Sequence, residues 1–309
     1  MPDSLPLDII VHGARAGSPD LRAAVTELRA RGRLVRVHVT WERGDARRLA
    51  RRAARSGGAT VVAAGGDGTL NEVLNGVLAV PPEAETPVSI GLVPLGTAND
   101  FARQADVPLD PRAALHMIAT GTPVRVDVGR VNGRAFLNVS TLGGTAEVTS
   151  GTDATTKRRL GVLAYALSGV RHLVAHDVST VARISGPAFT REVPFVLLAV
   201  GNARATGGGT VVTPLAALDD GLLDVCVIEP VARLSAAKLL LELRRGEHLE
   251  RDGVHYVQTP WLRVEAPHAL AANVDGEPIR ARVLHYAVDR GAALLHVGRL
   301  PGRDTPDAA

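Results

Sequence analysis

The stretch Gly65-Gly66-Asp67-Gly68-Thr69-Leu70-Asn71-Glu72-Val73 carries the residue types that phosphate chemistry needs. Glycines let backbone approach a ligand closely, and the N–H groups of a glycine turn that opens a helix favour an anion. Asp67 adds a carboxylate that could hold a phosphate-bound Mg²⁺, and Thr69 and Asn71 add neutral donors. A second glycine-bearing segment, Pro94-Leu95-Gly96-Thr97-Ala98-Asn99-Asp100-Phe101-Ala102, follows soon after. In an α/β sheet, loops at the carboxyl ends of neighbouring strands open into one crevice, so Thr97 joins the candidate donors. Each loop also has a plainer reading. Asp67 could cap its own helix, and Thr97 or Asn99 could cap the next one.

Neither loop is a familiar dinucleotide or Walker motif. A Walker A loop needs Gly-x4-Gly-Lys-Ser/Thr, and the lysines of this chain, Lys157 and Lys238, do not follow a glycine. The Gly-x-Gly-x-x-Gly turn would need a third glycine that is missing. No Gly-x-Ser-x-Gly elbow follows a strand, which argues against a serine hydrolase. His172 and His176 are four apart, but no glutamate follows His172, so a zincin site is not expected. The histidines read as structural.

The elements that must position these loops alternate. Ile9 to Val11 and Val35 to Val39 are strand-like, and so are Thr60 to Ala64 and Ser89 to Val93. Between and after them fall helix patterns: one capped by Ser18-Pro19 with Leu21, Val25 and Leu28 on one face, then Asp45 to Ser56, Leu70 to Leu78 and Pro111 to Ala119. This alternation predicts a parallel sheet covered by helices. Near Pro123 the pattern becomes strand-rich. Candidates are Val124 to Val128, Arg134 to Thr141, Thr180 to Ile184, Val193 to Val200, Leu222 to Ile228, Leu262 to Ala266, Val283 to Val288 and Leu294 to Val297. Few helices interrupt them, the clearest at Leu160 to Ala175 and Ser235 to Leu243. The second part therefore reads as an antiparallel β-sandwich. The expected domains are residues 1–128 and 129–300, with a disordered tail from Pro301 to Ala309.

The two glycine loops together resemble the diacylglycerol kinase catalytic-domain superfamily, and further segments are similar to its bacterial YegS-type lipid kinases. These are Val39-Thr40-Trp41-Glu42-Arg43-Gly44-Asp45-Ala46, Gly201-Asn202-Ala203-Arg204 with Gly207-Gly208-Gly209, Leu218-Asp219-Asp220-Gly221-Leu222-Leu223, and Val274-Asp275-Gly276-Glu277-Pro278. The resemblance runs from about residue 10 to about 297. It implies an N-terminal parallel α/β nucleotide-binding domain and a C-terminal β-sandwich, with the last strand returning to the first domain. It implies transfer of the γ-phosphate of ATP to a lipid hydroxyl, either phosphatidylglycerol or diacylglycerol, with the former favoured. The nucleotide site would comprise Thr40, Gly66, Asp67, Gly68, Thr69, Leu70, Asn71, Glu72 and Thr97. Glu277 would accept the proton of the attacking alcohol, and Asp67 would serve the catalytic Mg²⁺. A structural cation, Mg²⁺ or Ca²⁺, would take Asp220 and the backbone carbonyls of Ala217 and Leu222. Ala217 stands where such sequences tend to carry Leu, which matters little if only its carbonyl is used.

The residues themselves leave alternatives. Asp275-Gly276-Glu277-Pro278 alone is a turn with exposed acids, and Asp219-Asp220-Gly221 alone is a hairpin or plain turn between two strands. Asp275 competes with Glu277 as base, and Asp100 and Asp127 could extend the acidic network. NAD kinases share a Gly-Gly-Asp-Gly-Thr loop, so a superfold kinase with a soluble substrate is one rival. A non-catalytic nucleotide-binding protein is another.

Composition narrows the field. The chain has 309 residues, 46% of them apolar, enough for a sizeable core. Cys226, the one cysteine, excludes an internal disulfide and sits in an apolar run, so it reads as a buried thiol in a reducing cytoplasm. No signal peptide or membrane-length apolar run is visible, so a lipid would be reached from the cytoplasmic face by transient peripheral association. Net charge is +3. Arg47, Arg48, Arg51, Arg52 and Arg55 alternate with alanines and read as a solvated helix face. Aromatics make up 3% of the chain, too few for nucleic-acid stacking platforms, so no nucleic-acid partner is expected.

Overall fold

The computed structural model describes residues 6–56, 60–81, 87–143, 180–230, 235–298 and 300. The expected helix at 160–175, the pair at 172 and 176, Lys157 and the tail from 301 lie outside them. The chain divides into two compact units. One holds residues 1–127 and 290–300, the other 128–289 and 301–309.

In the first unit, β1 (Leu7–Val11), β2 (Val35–Val39), β3 (Thr60–Gly65) and β4 (Ser89–Pro94) form a parallel sheet in the order β4-β3-β1-β2. Leu294 and Leu295, at the end of a long final strand, pair in parallel with Ser89 and Ile90 of β4. Strands β1, β3 and β4 are buried throughout, as expected of a sheet covered on both faces. Five helices accompany it: α1 (Pro19–Ala30), α2 (Asp45–Arg55), α3 (Asp67–Val77), α4 (Asp100–Gln104) and α5 (Pro111–Thr120). Helix α1 starts as the sequence predicts. Pro19 fixes the first turn, the Ser18 hydroxyl accepts the Leu21 N–H at 3.3 Å, and Leu21, Ala24, Val25 and Leu28 are buried. A serine cap of this kind contributes about 1 kcal/mol.

The second unit is antiparallel. It begins with the end of β5 (Val124–Val131), followed by β6 (Arg134–Phe136), β7 (Val139–Gly143), β8 (Thr180–Gly186), β9 (Phe189–Phe195) and β10 (Leu197–Gly201). A short pair, β11 (Ala205–Thr206) and β12 (Thr210–Val211), stands apart. Then come β13 (Leu223–Ile228), α6 (Ala236–Arg245), β14 (Val254–Thr259), β15 (Trp261–Val274) and β16 (Glu277–Leu295). The strand order is β14-β13-β10-β7-β15-β16, with β8 on β15 and β9 on β8. Two apolar clusters fill this β-sandwich. One gathers around Phe136, Phe195 and Tyr286, and the other around Val139, Cys226 and Leu239.

Several predicted strands are divided differently. The 134–141 run breaks into β6 and β7, because the amides of Leu137, Asn138 and Val139 turn to the Asp275 carboxylate. The apolar run 193–200 splits at Val196, where the chain leaves β8 for new partners. The Val196 N–H bonds the Ile228 carbonyl of β13 at 2.9 Å. The candidates at 283–288 and 294–297 belong largely to one strand, β16, and β15 runs on from 262–266 to Val274 past an irregularity between Glu265 and Leu270. The Asp219-Asp220-Gly221 segment is a loop leading into β13 rather than a hairpin turn. The hairpin turn is Asp275-Gly276, with φ of 49° and 88°, joining β15 to β16.

Candidate active site

Strand β3 delivers Gly65 and Gly66 to the carboxyl edge of the sheet, and α3 opens at once. Thr69 N–H and Leu70 N–H both return to the Gly66 carbonyl, at 3.0 and 3.1 Å. The amides of Asp67 and Gly68 precede these bonds and belong to the first turn, which has no intrahelical acceptors. The loop after β4 is held against this turn by backbone. Leu95 N–H donates to the Gly65 carbonyl at 2.8 Å. A side-chain carbon built on Gly96 would lie 2.5 Å from the Gly66 Cα, so both loops need glycine where they touch. Asn99, at φ 51°, clamps the second loop. Its Oδ1 accepts from Gly96 N–H at 3.0 Å, and its amide donates to the Gly96 carbonyl at 3.1 Å. Thr97 is left exposed on that loop.

Gly68 differs from Gly66 and Gly96. A carbon added there meets no atom within 4 Å, and its φ is not in the left-handed region. Nothing in the described fold demands glycine at this position. A ligand drawn onto the helix-start amides would.

The carboxylates of the first loop have structural partners. Asp67 caps a neighbouring helix and not its own: it accepts Asp100 N–H at 3.1 Å and Phe101 N–H at 3.0 Å, at the start of α4. Helix α3 has Gly66 as its own cap residue. Glu72 turns away to α2 and accepts the amides of Gly44 and Arg47 at 3.1 and 3.3 Å. Leu70 is core. Thr69 and Asn71 are buried, and Asn71 Oδ1 accepts from the Asn75 amide at 3.1 Å. Thr40, at the end of β2, accepts Gly13 N–H through its hydroxyl at 3.1 Å, tying the loop after β1 to the same edge. Asp127 is buried and accepts Gly291 N–H at 2.7 Å, which pins the returning end of β16.

In the second unit the two acids of the Asp-Gly-Glu turn separate. Asp275 is buried, and its carboxylate accepts Leu137, Asn138 and Val139 N–H at 2.8, 3.0 and 3.2 Å. The plain reading of a turn with exposed acids fails for it. Glu277 opens β16, 19% exposed, with Oε2 3.6 Å from the Arg134 guanidinium. Sequence reasoning missed Arg134, which carries no motif signal.

The loop before β13 is rich in acceptors. Asp220 Oδ1 accepts Leu222 N–H at 2.9 Å. Two residues on, Asp224 is fully buried, and burial pushes its carboxyl up to about 6 against the pull of hydrogen bonds from Tyr256 and Gln258. The Asp220 charge adds to the rise. Asp224 Oδ2 has no hydrogen-bond partner among the described residues. Those residues contain no group of three or more His, Cys, Asp or Glu arranged for a metal, so a cation here would rest on Asp220 and carbonyl oxygens. A carboxylate with carbonyl oxygens is the donor chemistry a hard cation takes. Cys226 is buried, and burial pushes its thiol up to about 12. It is inert.

A parallel α/β unit with helix-start amides and paired glycine loops at its strand ends is an arrangement suited to holding a phosphate group. Residues 8–131 match the family described as diacylglycerol kinase catalytic domain, and residues 138–293 match the YegS C-terminal NAD kinase β-sandwich-like domain. A Pseudomonas aeruginosa protein named "Probable lipid kinase YegS-like" is 43% identical over 291 residues, covering 94% of this chain and 93% of that one. A protein of the same name from Chromohalobacter salexigens is 40% identical, covering 93% and 91%. A crystal structure of a diacylglycerol kinase from Bacillus anthracis strain Sterne superposes with a TM-score of 0.78 at 26% identity, over 95% of this chain and 97% of that one. The chain belongs to the YegS-like family of kinases with a diacylglycerol kinase catalytic domain. No helix among the described residues is long and apolar enough to cross a membrane.

Proposed function

We propose that this protein transfers the γ-phosphate of ATP to the hydroxyl of a membrane lipid, with phosphatidylglycerol the favoured acceptor and diacylglycerol the next. The observation that carries the nucleotide half is Gly68: a glycine the fold does not require, on the first turn of α3, beside amides that have no helical acceptor. The phosphates would lie on the amides of Asp67 and Gly68, flanked by the hydroxyls of Thr40 and Thr97. Leu70 and Glu72 drop out of direct contact in this reading, because one is core and the other caps α2. Thr69 and Asn71 shape the turn from within.

A divalent cation, when bound, would offset the charge of the transferring phosphoryl group. Asp67 is the carboxylate placed to orient it. Its two amide bonds to α4 hold its position while leaving carboxylate lone pairs for a hydrated cation. A second cation at Asp220 and the carbonyls of Ala217 and Leu222 would lock the loop before β13. Its role would be structural.

Glu277 takes the proton of the attacking alcohol. The division of labour in the Asp-Gly-Glu turn supports this. Asp275 is committed to three backbone amides, whereas Glu277 Oε2 lies 3.6 Å from the Arg134 guanidinium. Proton acceptance by a positioned carboxylate contributes a factor of about 10² to 10⁴.

The test is phosphate transfer from γ-labelled ATP with Mg²⁺ to a panel of mixed-micelle lipids, run beside Glu277→Gln and Asp67→Asn. Labelled lipid from the parent protein, reduced at least about a hundredfold in each variant with ATP binding retained in Glu277→Gln, is the expected result. Label on a soluble acceptor alone would overturn the lipid assignment, and near-normal transfer by Glu277→Gln would remove it as the base.

A further inference from the structure

Trp41 is 96% exposed, on the connection between β2 and α2. A large aromatic side chain so fully in water forgoes its burial, and indole is the side chain best suited to a membrane–water boundary. Two more apolar side chains lead up to it along the outermost strand of the sheet: Val37 is 41% and Val39 54% exposed. They lie two apart on β2 and so share one face of it.

Helix α2, which follows directly, presents a single sign of charge. Ala46, Ala50, Ala53 and Ala54 are buried, and Arg47, Arg48, Arg51, Arg52 and Arg55 are exposed. At about 100° per residue the five arginines fall within an arc of roughly 140°. Helices α1 and α6 by contrast mix their charges. Glu27 of α1 pairs with Arg31 and Arg112, and Glu242 of α6 pairs with Lys238 and Arg251. On α2 only Arg48 has an acid, Asp45, at 2.7 Å. Arg47, Arg51, Arg52 and Arg55 make no ion pair among the described residues. Like charges at i, i+4 repel, so this face costs the helix stability unless an anionic surface is supplied.

One carboxylate ties the backbone at Trp41 to the start of the arginine face: Asp45 Oδ2 accepts the Trp41 backbone N–H at 2.8 Å, while its Oδ1 accepts from the Arg48 guanidinium. Trp41 thus stands at the N-terminal end of the basic face, at the strand-end edge of the sheet that carries Gly66 and Gly96.

We infer that Trp41, Val37, Val39 and the arginine face of α2 form the surface by which this protein docks on an anionic lipid bilayer. The indole enters the headgroup layer while Arg47, Arg51, Arg52 and Arg55 lie against lipid phosphates. Charge complementarity selects the occupant: an acidic surface broad enough for several guanidinium groups, with an apolar layer beneath it for the indole. The inference rests on the lipid-acceptor reading above for its context, but it makes a claim about binding alone.

The experiment uses the full chain carrying Trp261→Phe, so that Trp41 is the single tryptophan, excited selectively over the tyrosines. Phosphatidylcholine vesicles with and without phosphatidylglycerol are the probes. Expected are a blue shift of Trp41 emission and co-sedimentation with the phosphatidylglycerol vesicles only, both reversed by salt. Arg51→Ala/Arg52→Ala/Arg55→Ala should lower partitioning about a hundredfold, at about fivefold per arginine. Trp41→Ala should lower it about tenfold, with no loss of melting temperature in either variant. Equal binding to neutral vesicles, or unaltered partitioning in either variant, would overturn the inference. A shift on adding ATP without vesicles would make the indole a nucleobase platform instead, and a shift with duplex DNA but not vesicles would make the face a nucleic-acid contact. Glu277→Gln must bind vesicles like the parent. A protein that docks but phosphorylates no lipid refutes the acceptor reading alone, and one that phosphorylates micellar lipid but ignores vesicles refutes docking alone.

Discussion

Gly68→Ala separates what the fold needs from what a ligand needs. The added methyl meets nothing within 4 Å, and the position lies in the first turn of α3 at an ordinary φ. Replacing glycine by alanine in a helix favours folding by up to about 1 kcal/mol, through the smaller entropy of the unfolded chain. Stability should therefore hold or rise. Binding should not. A phosphate that approaches the Gly68 amide must pass close to its Cα, and a methyl there displaces it from at least one charge-assisted hydrogen bond. Such a bond contributes about 1.5–3 kcal/mol, equal to about a 10- to 150-fold loss of affinity. Gly96→Ala is the contrasting case, because its methyl would fall 2.5 Å from the Gly66 Cα and 2.7 Å from Asn99 Oδ1. Backbone must move, at a cost of about 1–3 kcal/mol, and both loops loosen together. Urea denaturation reads stability, and calorimetric titration with a non-hydrolysable ATP analogue reads affinity. If Gly68→Ala binds the analogue as the parent does, the phosphates do not lie on the start of α3 and the nucleotide assignment falls.

Other consequences follow from single carboxylates and one imidazole. Asp275→Asn should destabilise the second unit by about 1–3 kcal/mol in urea denaturation, since one of the oxygens that serve three buried amides becomes a donor. Asp220→Ala should weaken binding of Mg²⁺ or Ca²⁺, measured by titration without nucleotide, and leave affinity for the ATP analogue within about twofold; unchanged cation binding would refute that site. His296 is held down to about 4, first by burial and then by the Arg33 charge, so the unfolded chain takes up its proton earlier. Its contribution to stability is present above pH 6.5 and is lost as pH falls from 6.5 to 4, by about 3 kcal/mol. Asp224 runs the other way. Raised from 3.8 to about 6, it favours the fold at low pH and loses that contribution as pH rises through 6. Urea denaturation across this range should thus give a shallow profile in the parent and a steeper acid loss in Asp224→Asn.

Much of the architecture was legible because it is written locally. Helix α1 shows its cap, its proline and its apolar stripe within a dozen residues, and β3 and β4 show themselves as short apolar runs before glycine. The second unit was read less well, since strands in an antiparallel sheet are cut by their partners. Nothing in the sequence around Val196 announces that its amide bonds Ile228, or that β15 runs on for eight residues past Ala266. The same limit governs the acids. Asp67, Glu72 and Asp275 all sit in motifs that invite a catalytic reading, yet each accepts backbone amides from a segment far along the chain. Asp67 serves residues 33 and 34 positions later, Glu72 two that lie 25 and 28 positions earlier, and Asp275 three that lie 136 to 138 positions earlier. A carboxylate that satisfies buried amides resists replacement as strongly as one that moves a proton, because its loss strands those donors. Motif residues of this kind therefore cannot be sorted by type or spacing. They can be sorted by what they touch: the loss of Asp67, which caps α4, should fall on both fold and turnover, whereas the loss of Glu277, facing the Arg134 guanidinium, should fall on turnover.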